Sequence, residues 1–150
     1  MVEFAIKRLG SGGLITNYFC SSSCKHCLYN CSPHWQKRYI DPDTAGKNLK
    51  TIRALGCRSV HIGGGEPLLR PDKLATVLEL ASQVGISVEY VETNSSWFQD
   101  LESAKNLLSD LSRKGLGTLL VSISPFHNET EGVLFKNLSQ RARSRSHTQY

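Results

Sequence analysis

Apolar positions along the chain alternate between short strand-like runs and helical stripes. Leu14-Ile15-Thr16-Asn17-Tyr18-Phe19 follows Gly12-Gly13 and predicts a first strand that delivers Cys20 at its end. After a cysteine-rich loop and a polar stretch with Pro33, His34 and Trp35, Asp41-Pro42 predicts a capped helix start. Ala45, Leu49, Ile52 and Leu55 then share one face, and Gly56 stops the helix. Ser59-Val60-His61-Ile62 reads as a second strand, ended by Gly63-Gly64-Gly65-Glu66-Pro67. A second helix carries Leu74, Val77, Leu78, Ala81 and Val84, with Asp72 as its expected cap and Gly85 as its stop. Ile86, Val88 and Tyr90 alternate with Ser87 and Glu89 in a third strand running into Glu92-Thr93-Asn94. Leu101, Ala104, Leu108 and Leu111 mark a third helix ending at Gly115, and Thr118 to Ser124 predicts a fourth strand leading to Pro125-Phe126-His127-Asn128-Glu129.

Strand and helix alternate with short connections, each step being about 30 residues long, which argues for parallel strands joined by right-handed crossovers. The expected fold is therefore α/β, a parallel (βα) partial TIM-like barrel of about four βα units. The unusual residues all follow the C-terminal ends of strands, so they share one rim. In parallel α/β folds that rim is where ligands bind, because loops and helix N-termini converge there.

Composition narrows the class. With 39% hydrophobic and 21% charged residues the 150-residue chain reads as one globular unit. No apolar run approaches a membrane span, and Met1 to Asn17 lacks the compact apolar core of a signal peptide, so the expected location is cytoplasmic. The formal charge is +5, but Arg141, Arg143 and Arg145 supply three of those units. Residues 1–136 are therefore read as the folded core and 137–150 as a basic, Arg- and Ser-rich disordered tail. Neither a membrane nor a nucleic-acid partner is expected, an RNA contact through the tail being the weaker alternative.

Five cysteines, four of them within the twelve residues Cys20 to Cys31, fit metal ligation better than a disulfide framework. Cys20, Cys24 and Cys27 have the spacing C-x3-C-x2-C, three soft ligands that suit an iron–sulfur cluster or zinc and leave one position open. Cys31 or His34 would complete a tetrahedral zinc site. Cys57 reads as a small buried side chain, and His127 as a loop histidine. At Gly63 to Pro67 the glycines let the backbone approach a ligand closely. A phosphate loop fits poorly there, because Glu66 would repel phosphate and no Lys or Ser/Thr follows; a cationic ammonium is the better match, a tight strand-to-helix turn the plainer reading. Thr93-Asn94 is either a contact on that rim or an Asx-type turn.

Taken together, Cys20, Cys24 and Cys27 after the first strand and Gly64-Gly65-Glu66 after the second resemble the motifs of the radical S-adenosylmethionine enzymes, over roughly residues 12–130. The resemblance implies a 4Fe-4S cluster held by these three cysteines, with its open iron chelated by the amino and carboxylate groups of S-adenosylmethionine. It further implies one-electron cleavage of that cofactor to a 5′-deoxyadenosyl radical, which abstracts hydrogen from a substrate. Iron–sulfur potentials reaching about −700 mV suit such a demanding reduction. By the same resemblance Gly64, Gly65 and Glu66 would meet the cofactor's ammonium through their backbone, His26 would stand near the adenine, and Ser122 would contact the cofactor. Implied partners are a flavodoxin- or ferredoxin-like electron donor and an unidentified substrate. The family's core usually has six strands, so four imply a truncated frame, a fragment, or a partner chain that completes the barrel. The alternatives are a non-catalytic metal-binding module, with structural zinc or an electron-transfer cluster, and an inactive fragment.

Overall fold

The computed structural model describes Ala5 and residues 7–122. Val133-Leu134-Phe135, His127 with the rest of Pro125 to Glu129, the end of the expected fourth strand and the 137–150 tail lie outside the described residues. Four strands, β1 (Gly12–Ile15), β2 (Ser59–Gly63), β3 (Ser87–Thr93) and β4 (Leu119–Val121), form one parallel sheet in the order β1-β2-β3-β4. Three helices connect them, α1 (Pro42–Ala54), α2 (Pro71–Val84) and α3 (Leu101–Arg113). This is the expected parallel α/β arrangement.

One face of the sheet carries the core. Leu14, Val60, Ile62 and Val91 from the strands pack with Leu49, Leu74, Leu78 and Leu111 from the helices. Each such side chain contributes roughly 1.5–3 kcal/mol through burial, so this layer holds the frame. The other face presents His61, Tyr90 and Glu92, and the His61 ring stacks on Tyr90 with centroids 5.4 Å apart.

Local chemistry fixes the helix ends. Asp41 caps α1 by accepting from the Thr44 N–H at 2.9 Å, as its place before Pro42 predicts. Gly85 ends α2 in the left-handed conformation at φ 73°, which favours glycine. Asp100 caps α3 through the Ser103 N–H.

Four expectations are corrected. β1 stops at Ile15 rather than Phe19, because the backbone from Asn17 onward turns to bond the glycine turn instead of β2. Asp72 does not cap α2: the helix begins at Pro71 after Arg70, and the Asp72 carboxylate pairs with the Arg70 guanidinium at 3.0 Å. Tyr90 does not continue the face of Val88. Val60 pairs with Val88 but His61 with Tyr90, so Glu89 is an unpaired bulge residue that turns Tyr90 and Glu92 away from the core while Val91 stays in it. Leu101 is half exposed, so the buried stripe of α3 begins a turn later, at Ala104.

Candidate metal centre

The cysteine loop is closed at its base. Phe19 and Ser32 form a β-bridge, the Cys20 N–H donates to the Ser32 carbonyl, and the Ser32 N–H donates to that of Tyr18. A second closure, Ile40 N–H to the Thr16 carbonyl at 2.6 Å, returns the chain to the end of β1 before α1 begins. Inside the loop, Cys27 donates its N–H to the Cys24 carbonyl, a turn that brings the last two cysteines of the motif to one side.

Next to the loop lies the turn after β2, and here backbone crosses backbone. The Gly65 N–H donates to the Asn17 carbonyl at 2.7 Å and the Glu66 N–H to the Phe19 carbonyl at 3.0 Å. Asn17 adds its side-chain amide, which donates to the carbonyls of Phe19 and Glu66. A Cβ on Gly65 would stand 2.0 Å from the Phe19 oxygen, and one on Gly64 2.6 Å from Asn17 Oδ1. The glycines thus admit the segment that leads into the cysteines.

Glu66 faces inward. Its side chain is fully buried, accepting from the Leu68 N–H (3.1 Å) and Thr93 hydroxyl (2.8 Å) on Oε1 and from the Asn94 N–H (2.7 Å) on Oε2. Thr93 Oγ1 already accepts from the Ser95 N–H and the Trp97 indole, so its own proton is directed to Glu66. Burial pushes the Glu66 carboxyl up to about 7, while these three hydrogen bonds pull it back.

Asn94 does two things at once. Its Oδ1 accepts from the Ser96 N–H in an Asx-type turn, and its amide donates to Cys20 Sγ (3.4 Å) and to the hydroxyls of Ser21 and Ser22 (both 3.2 Å). Cys20 Sγ also accepts from the Ser22 N–H at 3.5 Å, and Cys27 Sγ from the Cys31 N–H at 3.4 Å. N–H donors aimed at sulfur suit ligating thiolates, whose charge and potential such bonds tune. As free thiols the buried pair resist ionisation: burial pushes Cys20 up to about 11 and Cys31 up to about 12.

Cys20, Cys24 and Cys27 line one cavity of about 300 Å³, together with Cys31, Gly64 and Gly65. His26 and Ser122 also line it, the Ser122 N–H being tied to the Thr93 carbonyl at 2.8 Å. Glu66 does not, and His34 lies in a separate groove with Trp35 and Arg38. Cys57 is a core thiol that donates to the Ser59 carbonyl. Among the described residues no three Cys, His, Asp or Glu side chains gather round a single ion. A cluster that takes one thiolate per iron spreads its ligands more widely than a mononuclear zinc does. Sequence reasoning missed Asn17, Leu28 and Tyr29: Asn17 carries a signal as a polar residue ending an apolar strand, whereas the cavity position of Leu28 and Tyr29 has none.

A parallel α/β sheet that presents three cysteines beside a glycine turn at the C-terminal ends of its strands has the architecture in which loops build a site on one rim. The family model described as the Radical SAM superfamily matches residues 14–148, and the chain belongs to that family. Members of this family use S-adenosylmethionine and a 4Fe-4S cluster. The chain is 26% identical over 127 residues to an S-adenosylmethionine-dependent nucleotide dehydratase of Fibrobacter sp. (strain UWH6), covering 78% of this chain and 35% of that protein. It is 29% identical over 126 residues to a probable GTP 3′,8-cyclase of Methanocaldococcus jannaschii, covering 84% of this chain and 38% of that one. Over 67 residues it is 31% identical to a PqqA peptide cyclase of Ruegeria pomeroyi, covering 45% of this chain and 18% of that one. The chain spans about a third of the length of the first two of these relatives. No helix among the described residues is long and apolar enough to cross a membrane.

Proposed function

We propose that Cys20, Cys24 and Cys27 hold a 4Fe-4S cluster and that the chain binds S-adenosylmethionine beside it as part of a radical enzyme. The observation that carries this reading is the shared cavity: the three motif cysteines line it with Gly64 and Gly65, although 36 residues separate Cys27 from Gly64. When bound, the cluster supplies the single electron that cleaves S-adenosylmethionine to methionine and a 5′-deoxyadenosyl radical for hydrogen abstraction. The chain's own residues prepare the site. Asn94 and the Ser22 N–H donate to Cys20 Sγ, and the Cys31 N–H donates to Cys27 Sγ, so the donors that would bond ligating sulfurs are already in place. Gly64 and Gly65 offer backbone at the cavity wall for the cofactor's ammonium, and His26 and Ser122 stand at the same cavity for its nucleoside part. Glu66 acts at one remove, holding Thr93 and Asn94 in place.

The reading also requires an external one-electron donor and a substrate. The names of the relatives include both nucleotide and peptide chemistry. Anaerobic reconstitution of the full chain with iron and sulfide tests the proposal. The expected result is iron and acid-labile sulfide in equal amounts, with 5′-deoxyadenosine formed from S-adenosylmethionine under a strong reductant. Stoichiometric zinc without sulfide would sink it.

A further inference from the structure

Two carboxylates flank the cavity, and their situations are opposite. Glu66 is saturated by three donors. Glu92 lines the cavity itself, partly buried, and its carboxylate forms no hydrogen bond or ion pair with any described residue. No Lys or Arg is among the described residues lining the cavity. Across the sheet from Glu92 is Gly63, where a Cβ would stand 3.1 Å from Glu92 Oε2. The first of the three glycines thus leaves the carboxylate room to lie over β2. The bulge at Glu89 turns Glu92 to this face, and the bonds from Glu66 to its neighbours Thr93 and Asn94 fix the strand that carries it.

We propose that Glu92 is a substrate-binding residue that receives a planar ligand edge bearing two adjacent N–H donors, of the guanine or guanidinium type. This rests on the radical S-adenosylmethionine reading, which makes the cysteine-lined cavity the place where substrate is held. A carboxylate with both oxygens unengaged pairs best with two parallel N–H groups, in the fork geometry that makes such contacts strong. Its height also selects substrate over cofactor: Glu92 lies two residues before Asn94, roughly 6.5 Å deeper along the strand than the residue that bonds Cys20. Tyr29 and Leu28, exposed by 41% and 94%, add a flat aromatic and apolar wall to the same cavity. That wall favours a planar group over a compact ammonium.

Calorimetric titration of the full chain with guanosine, inosine and agmatine tests the proposal. Guanosine or agmatine should bind, and Glu92→Gln should weaken binding about 10- to 100-fold, the range for losing a charge-assisted pair. Tighter guanosine binding, with inosine weakened by a similar factor for want of its exocyclic amino group, identifies a guanine-type edge; tighter agmatine binding identifies a guanidinium. Gly63→Ala, which displaces the carboxylate without removing it, should weaken the same probe and guards against a folding artefact in the first variant. Failure of both probes to bind, or equal affinity in wild type and Glu92→Gln, overturns the proposal. A parallel loss of S-adenosylmethionine affinity in Glu92→Gln also overturns it, since the carboxylate would then serve the cofactor. Failure of the radical reading shows separately, as absent iron, sulfide and 5′-deoxyadenosine in the wild-type chain.

Discussion

Gly65→Ala distinguishes two reasons for the glycine motif, room for a ligand and room for the chain's own backbone. The new Cβ would lie 2.0 Å from the Phe19 carbonyl oxygen, 2.4 Å from its carbon and 2.9 Å from the Tyr18 carbonyl carbon. Ordinary contact begins near 3.4 Å, so the two segments must separate by about 1.4 Å. That movement stretches the Gly65–Asn17 and Glu66–Phe19 hydrogen bonds, 2.7 and 3.0 Å long, beyond bonding distance. Leaving these groups unpaired costs about 1–3 kcal/mol each, so the substitution should destabilise the chain by about 2–6 kcal/mol, a large share of typical domain stability. Stiffening of the unfolded chain offsets less than about 1 kcal/mol. Urea unfolding of the metal-free full chain measures the change. Gly117→Ala is the control, because nothing stands within 4 Å of its added Cβ; it should be neutral or stabilising by up to about 1 kcal/mol. A Gly65→Ala chain as stable as wild type but unable to bind S-adenosylmethionine would refute the backbone argument and assign the glycine to the ligand.

Cys24→Ala should abolish cluster assembly while Cys31→Ala keeps iron and sulfide, read by metal analysis after reconstitution; equal loss in both would mean that four cysteines ligate. Glu66 predicts a pH dependence of stability. Its carboxyl titrates near 7 when folded and at the ordinary 4.5 when unfolded, so between those values the folded chain holds a proton that the unfolded chain has released. Stability is therefore lost as pH rises from about 4.5 to 7, by about 3 kcal/mol, and Glu66→Gln should remove that slope; a wild-type profile flat over this range would contradict the burial argument. Asp41→Ala should lower stability by about 1 kcal/mol through loss of the α1 cap, with cluster assembly unaffected; no change in the unfolding midpoint would show that the cap contributes nothing.

The frame was legible because periodicity reports which face of an element is buried. Leu49, Leu74, Leu78 and Val60 lie in the core as their spacing predicts, and Asp41-Pro42 announces the start of α1. What escaped were features set by contacts between segments distant in sequence. The bulge at Glu89 depends on how β3 pairs with β2, and nothing in Val88-Glu89-Tyr90 distinguishes it from plain alternation. Burial of Glu66 was equally hidden, because its three donors come from Leu68, Thr93 and Asn94 and only the first is a near neighbour in the chain. For Thr93-Asn94 the choice between turn and rim contact dissolves, since Asn94 makes the Asx turn with its oxygen and binds the cysteine loop with its nitrogen.

The contacts of Asn17, Glu66 and Asn94 form a closed circuit. The end of β1 is bonded to the glycine turn, the turn to the end of β3, and β3 back to the cysteine loop that leaves β1. A circuit resists shear in a way that three separate tethers do not, since no segment can slide without straining the other two. Much of the entropy that a ligand would otherwise have to remove from this rim has already been lost during folding, so binding there should proceed with little further ordering of the chain.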